Sequence, residues 1–130
     1  MSSFTDPLDT RYMHDTKNWM VLRTFRFYIG GLLSDRYIDV PMGFRTDGAS
    51  VPRPFWNIIP PWGEYGQAAV LHDFLCEYRT IIVRGEAQSI SREEADFIFR
   101  EAMEVLNVPK VQREAMHAAV RSYARLKGIK

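Results

Sequence analysis

The sequence has few of the features that assign a protein to a class at once. Its single cysteine, Cys76, leaves no intramolecular disulfide and fits a reducing compartment. The formal net charge of +1 gives no overall argument for binding nucleic acid or an anionic membrane. No apolar run approaches the roughly 20 residues that cross a bilayer, and the N-terminus has no signal-peptide core. We therefore expect a cytoplasmic protein without a transmembrane segment.

The composition predicts one α+β domain. The chain has 130 residues, of which 46% are hydrophobic and 25% charged, as in ordinary globular domains. Residues 1–17 are polar and predict an irregular arm, which leaves a single domain over 18–130. Segments 18–30 and 36–41 are rich in β-branched and aromatic residues and predict a small antiparallel sheet or hairpin. Segment 80–85 reads as a further short strand or an extended connector.

A long loop and three helices are predicted to follow the sheet. The loop, over 42–66, is rich in glycine, proline and aromatic residues, which favours an ordered connection. Apolar residues at helical spacing predict the first helix over about 65–78. The sequence "SREE" predicts a capping box in which Ser91 begins the second helix. The third helix is expected over 111–126, and we expect the first two helices to pack antiparallel.

Two titratable residues, His72 and Asp73, stand in the otherwise apolar stretch "AVLHDFLCEY". A buried polar group costs free energy unless it is paired, and neighbouring helical residues are rotated by about 100°, so each needs its own partner. Asp96 has a similar position at the edge of the second helix, and antiparallel packing would bring it to His72. A carboxylate on one imidazole nitrogen leaves the other free as a base, which is the minimum arrangement for activating water.

The segment "FRTDGASVPR" adds a candidate metal site. Asp47 precedes Gly48 in what reads as a tight turn with an outward carbonyl. Asp47 and Asp73 offer two carboxylates which, with loop carbonyls and water, suit a hard cation such as Ca²⁺. Zinc is disfavoured because no cluster of cysteine and histidine has zinc spacing. The cation would polarise a substrate carbonyl while His72 activates water.

Three segments carry a resemblance to a known family. In this order, "VPMGFRTDGASVPRPFW", "AAVLHDFLCEYR" and "SREEADFIFREAM" resemble the family catalogued as domain of unknown function 1353 (DUF1353), found mainly in bacteriophages and prophages. The resemblance implies a phage or prophage origin and supplies no function. Together with the lack of a signal-peptide core, a phage origin predicts a location in the host cytoplasm, and later incorporation in the virion stays open.

The order of the acidic residues and the histidine is also similar to that of secreted and bacterial phospholipases A2. That resemblance implies that His72 is the general base and that Asp96 orients it. It implies Ca²⁺ ligands at three matching positions, Asp47, Gly48 and Asp73. The sequence departs from the pattern at Cys76, where those enzymes usually have tyrosine, and it lacks their disulfides.

Each of these residues also has a structural interpretation. His72, Asp73 and Asp96 would then form a polar network that ties two helices together. Asp47 would cap its own turn, and Ser50 in "DGAS" is typical of a turn or cap residue more than of a nucleophile. The segment "PRPFWNIIPPWGEYG" is expected to cover the core, with a membrane-interface or partner-facing patch as the alternative.

Two functions remain open at this point. The first is a Ca²⁺-assisted hydrolase resembling phospholipase A2, acting on a phospholipid or another ester. The second is a non-catalytic phage protein, a virion, tail-assembly or host-interaction component that contacts phage structural proteins. Nucleic-acid binding is not predicted, because the chain has no basic stripe or stacking array.

Overall fold

The computed structural model, which describes residues 3–47, 50, 54 and 66–130, contains two small sheets and three helices. Its strands are β1 (Thr10–Met13), β2 (Asn18–Val21), β3 (Phe25–Tyr28), β4 (Arg36–Val40), β5 (Arg45–Thr46), β6 (Thr80–Val83) and β7 (Glu86–Ser89). Its helices are α1 (Gly66–Tyr78), α2 (Arg92–Val105) and α3 (Lys110–Leu126). The predicted α+β class is confirmed, with two of the helices packed closely, α1 against α2.

All strand pairs in the two sheets are antiparallel, and the sheet orders are β1-β2-β5 and β3-β4-β6-β7. The β3–β4 hairpin carries much of the core, because alternate side chains point inward. Phe25 and Phe27 on β3 are fully buried, and Val40 and Ile38 are their cross-strand partners. Phe4 is bridged to Phe27 and adds a ring to this cluster.

The segment 18–30, predicted as one strand, is two strands that belong to different sheets. The chain changes partners between them: the Val21 N–H donates to Phe44 O, and the Leu22 N–H donates to Asp9 O. β3 then pairs with β4 instead. Both halves have the same β-forming composition, so the sequence predicts one continuous strand. Composition does not indicate which strand each half pairs with.

Two further strands depart from the expectation. β1 lies in the arm expected to be irregular, where Tyr12 pairs with Trp19 across the strands and their rings meet edge-to-face at 5.2 Å. β7 is exposed along its whole length, so it has no apolar alternation to reveal it. It is formed by a hairpin turn in which Arg84 and Gly85 both have positive φ, as the tight primed turns require.

The helices follow their local signals. The capping box at the start of α2 is confirmed: Ser91 Oγ accepts from the Glu94 N–H, and the Glu94 carboxylate accepts from the Ser91 N–H. α1 is buried around its whole circumference over its first two turns, from Gly66 to His72. That burial leaves no hydrophilic face in the first half of α1, so a polar side chain there lies inside the core.

Several sequence-based expectations lie wholly or largely outside the described residues. The long loop 42–66 is described only over 42–47 and at residues 50, 54 and 66, so its ordered character stays a prediction. The core-covering role of its proline- and aromatic-rich segment is likewise untested. The division into an arm and a domain also stays a prediction. None of the helices in the described ranges combines the length and apolar character needed to cross a membrane.

Candidate functional site

The candidate site is centred on His72, in the middle of α1. Its side chain is fully buried, and its ring stacks on Phe99 of α2 with centroids 4.5 Å apart and planes inclined by 28°. The stacking fixes the plane of the imidazole, so its two nitrogens point in defined directions along that plane. Each nitrogen has a polar partner, as a buried imidazole requires.

His72 and Asp96 are in direct contact, as the helix pattern predicts. Nε2 of His72 lies 2.6 Å from Oδ1 of Asp96, and both side chains are fully buried. Asp96 also accepts from Arg92 Nε at 3.0 Å and from Arg121 Nη1 at 2.7 Å. Arg92 lies one turn earlier on α2, while Arg121 comes from α3. The carboxylate therefore joins all three helices.

Burial and charge act in opposite directions on these two groups. Burial lowers the pKa of His72, but the Cys76 sulfur and the Asp96 carboxylate more than offset it and raise the pKa to about 9. Burial raises the pKa of Asp96, but the hydrogen bonds and charges of His72 and Arg92 outweigh it and hold the pKa below its ordinary value. Asp96 is therefore a carboxylate at neutral pH.

The other imidazole nitrogen contacts Ser50. Oγ of Ser50 lies 3.0 Å from Nδ1 of His72. When Nε2 carries the proton donated to Asp96, Nδ1 is an acceptor and Ser50 Oγ donates to it. The three side chains then form a line of hydroxyl, imidazole and carboxylate, the arrangement that activates a serine nucleophile.

Ser50 is the residue for which the sequence favours a turn or cap role over that of a nucleophile. Its segment reads as a turn, and nothing local distinguishes a turn serine from a nucleophile. The signal is the contact with His72, 22 positions later in the chain. This contact depends on where Ser50 lies relative to α1, which the local sequence does not encode.

Asp73, the neighbour of His72, holds the same loop. Its carboxylate accepts from the Ser50 N–H at 3.0 Å and from the Thr46 hydroxyl on β5. Each Asp73 oxygen already has one donor, so a cation would have to share both oxygens with those donors. Asp47 is exposed at the end of β5, and Gly48 lies outside the described residues. The Ca²⁺ site therefore stays a prediction.

A second group of possible metal ligands involves Cys76. Its sulfur lies 3.5 Å from His72 Nε2, one helical turn away, and one ligand atom each from His72, Cys76 and Asp96 lies within 4.8 Å of the others. A cation there would meet a carboxylate that already carries two guanidinium groups, from Arg92 and Arg121. The arginines neutralise Asp96, so the cluster is poorly suited to a metal.

A pocket of about 320 Å³ opens beside Ser50. His72 is not among its lining residues and lies beneath the surface. Among the described residues, those that line the pocket are Ser50, Asp73, Cys76, Glu77, Arg92, Tyr123 and Ile129. A small ligand in the pocket would therefore lie against Ser50, with His72 and Asp96 buried beneath it.

Comparisons with known proteins place no activity on this site. The profile of the family described as "Protein of unknown function (DUF1353)" matches residues 12–120. The chain is 37% identical over 86 residues to "Uncharacterized protein y4jT" of Sinorhizobium fredii. That match covers 65% of this chain and 23% of the longer protein, so the chain spans about a quarter of its relative's length. No solved structure matches the chain significantly.

Proposed function

We propose that this chain, which belongs to the DUF1353 family of proteins of unknown function, is an ester hydrolase that uses Ser50 as its nucleophile. The observation that carries the proposal is the line of contacts from Ser50 Oγ to His72 Nδ1 at 3.0 Å and from His72 Nε2 to Asp96 Oδ1 at 2.6 Å. His72 is the general base, and Asp96 is the positioning residue that fixes its tautomer.

The reaction begins when Ser50 Oγ transfers its proton to His72 Nδ1 and forms a bond to the ester carbonyl carbon. The tetrahedral intermediate collapses by breaking the bond to the alcohol oxygen, which takes the proton from Nδ1 and leaves. Water then gives a proton to Nδ1 and attacks the acyl carbon. The acyl–Oγ bond breaks, and Ser50 recovers its proton from His72. The net reaction consumes one ester and one water and yields an acid and an alcohol.

This mechanism keeps the base and the orienting acid of the phospholipase A2-like hypothesis and changes the attacking group. That hypothesis places a water at the free imidazole nitrogen, but Ser50 Oγ already lies there. A phospholipid is one ester that the proposed enzyme would accept. The phage or prophage origin and the location in host cytoplasm or virion stay predictions.

The test combines turnover with covalent labelling. The protein is expected to hydrolyse 4-nitrophenyl esters with an initial burst, and a fluorophosphonate probe is expected to attach to Ser50, located by peptide mass spectrometry. Ser50→Ala should lower kcat/KM by at least about 10³-fold and abolish labelling. Ser89→Ala, on the exposed strand β7, is the matched control and should leave both unchanged.

The pH profile tests the role of His72 separately. Only the neutral imidazole accepts a proton, and the pKa of His72 is about 9. We therefore expect kcat/KM to rise about tenfold per pH unit below pH 9 and to level off above it. A flat profile between pH 6 and pH 9 would exclude His72 as the base.

The complete burial of His72 and Asp96 favours a second candidate, a non-catalytic protein in which the same residues form a structural network. A buried, fully bonded network ties helices together without reacting. Under this candidate, Ser50→Ala would lower stability slightly, and neither the burst nor the covalent adduct would be observed. Contacts with phage structural proteins then become the function to test.

A further inference from the structure

The guanidinium of Arg92 has capacity for a ligand beyond its contact with Asp96. Arg92 is 4% exposed, its Nε donates to Asp96, and its Nη2 is buried with no hydrogen-bond partner among the described residues. A buried donor without a partner costs about 1–3 kcal/mol, more when it is charged. Arg92 also lines the pocket beside Ser50. The arginine that carries this unpaired donor is therefore one of the residues that line the pocket.

The charges of the buried cluster point to the same kind of ligand. Two guanidinium groups, Arg92 and Arg121, share the single carboxylate of Asp96. Arg121 has a further, distant acid in Glu93 at 4.0 Å, whose side chain is 60% exposed. Among the described residues, Arg92 has no second carboxylate within 4.0 Å. Even with a neutral His72, the buried cluster of Arg92, Arg121 and Asp96 carries one excess positive charge, and a protonated His72 adds another; an anion would reduce this excess.

Two acids also line the pocket and restrict where an anion could bind. Asp73 accepts hydrogen bonds from the Ser50 N–H and the Thr46 hydroxyl, which stabilise its carboxylate without removing its charge. Glu77 is exposed to solvent and is therefore screened. The end of the pocket at Arg92 is the part whose charge favours an anion.

We infer that the pocket binds an oxyanion, a carboxylate or a phosphate, through Arg92. Guanidinium groups suit both because their planar donors match the spacing of two oxygens. If the proposed function holds, the substrate is an ester that carries a negatively charged group and binds with its carbonyl at Ser50. The anion site itself does not require Ser50 to react.

Binding is measured with inorganic phosphate and with acetate, by titration calorimetry on the full chain at constant ionic strength. Saturable binding of either anion, but not of chloride, is expected. Preference for phosphate would indicate a phosphorylated ester, and preference for acetate a carboxylated one. Absence of binding by both anions at millimolar concentration would overturn the inference.

Arg121 provides a matched control, because it also donates to Asp96 but does not line the pocket. Arg92→Gln is expected to weaken anion binding at least about tenfold, whereas Arg121→Gln should change it less than about threefold. Equal losses would mean that the effect runs through Asp96, and they would overturn the assignment to Arg92.

A third measurement uses the unaltered protein, in case an arginine variant does not fold. Cys76 lines the same pocket, so bound phosphate is expected to slow its alkylation by N-ethylmaleimide. Chloride at equal ionic strength should not slow it, and equal rates with both salts would contradict the inference. Ser50→Ala separates the two proposals: it should keep anion binding while losing hydrolysis. Hydrolysis by a chain that binds no anion would refute the anion site alone.

Discussion

Replacing Asp96 with asparagine is the most demanding test of the buried network. The substitution keeps the shape of the side chain and removes its negative charge. Asp96 is the shared acceptor of His72, Arg92 and Arg121, and it is fully buried. Asparagine would leave both guanidinium groups without their buried counter-ion, where they have little access to water.

The expected loss follows from that burial. Removing one partner of a buried ion pair costs about 3–5 kcal/mol, because the remaining charge stays desolvated. The side chain of Arg92 is 5% exposed and that of Arg121 is 12% exposed, so water solvates neither charge well. With an unfolding entropy of about 2.1 cal/mol/K per residue, a chain of 130 residues would lose about 10–20 °C in Tm.

Urea denaturation and calorimetry at pH 7 measure both quantities. The control is Asp39→Asn, which removes the charge from an ion pair with Arg26 whose side chains are 42% and 35% exposed, and it should cost under about 1 kcal/mol. Arg121→Met added to Asp96→Asn should recover part of the loss, because it removes one of the two uncompensated charges. A loss for Asp96→Asn no larger than that of the control would refute the reasoning.

Three further predictions concern pH, capping and Ca²⁺. The pKa of His72 is raised from 6.5 to about 9. Protonation of His72 therefore adds about 3 kcal/mol to the free energy of unfolding below pH 6.5, and this contribution is lost as pH rises through 9. Urea midpoints at pH 6 and 9.5 should show this decline in the wild type but not in His72→Gln. Ser91→Ala should cost about 1 kcal/mol by removing the cap on the Glu94 N–H, measured by denaturation, and an unchanged midpoint would contradict the cap. Ca²⁺ is expected to raise Tm in the wild type and not in Asp73→Asn, with Mg²⁺ as the comparison. If the variant still responded to Ca²⁺, Asp73 would not be a ligand.

The helices were predictable because their signals are local. The capping box of Ser91 and Glu94 lies within four residues, and the apolar spacing of α2 lies within four turns. The contact between His72 and Asp96 was also predictable, because two polar residues on otherwise apolar faces need partners inside the same core. Burial leaves few candidates, so the pairing follows once the helices pack.

The rest depends on pairing between distant parts of the chain, which local composition does not encode. Neither β1 nor β7 has an apolar pattern of its own. β1 depends on its pairing with β2, and β7 depends on the turn with positive φ at Arg84 and Gly85. The division of 18–30 into two strands depends on which backbone groups lie opposite Val21 and Leu22. The sequence favours a turn or cap role for Ser50 for the same reason, since its contact with His72 joins residues 22 positions apart.

The adjacent pair His72–Asp73 acquires a single physical explanation from the loop. Because the two side chains are rotated by about 100° on α1, they cannot share a partner atom, yet both reach Ser50. Asp73 accepts a hydrogen bond from the backbone N–H of Ser50, and His72 contacts the side-chain Oγ of Ser50. One residue fixes where the serine backbone lies, and the other fixes where its hydroxyl points. A structural network needs only that polar groups be satisfied, whereas a serine held at its backbone by Asp73 and at its hydroxyl by His72 has the fixed position that the proposed nucleophile requires.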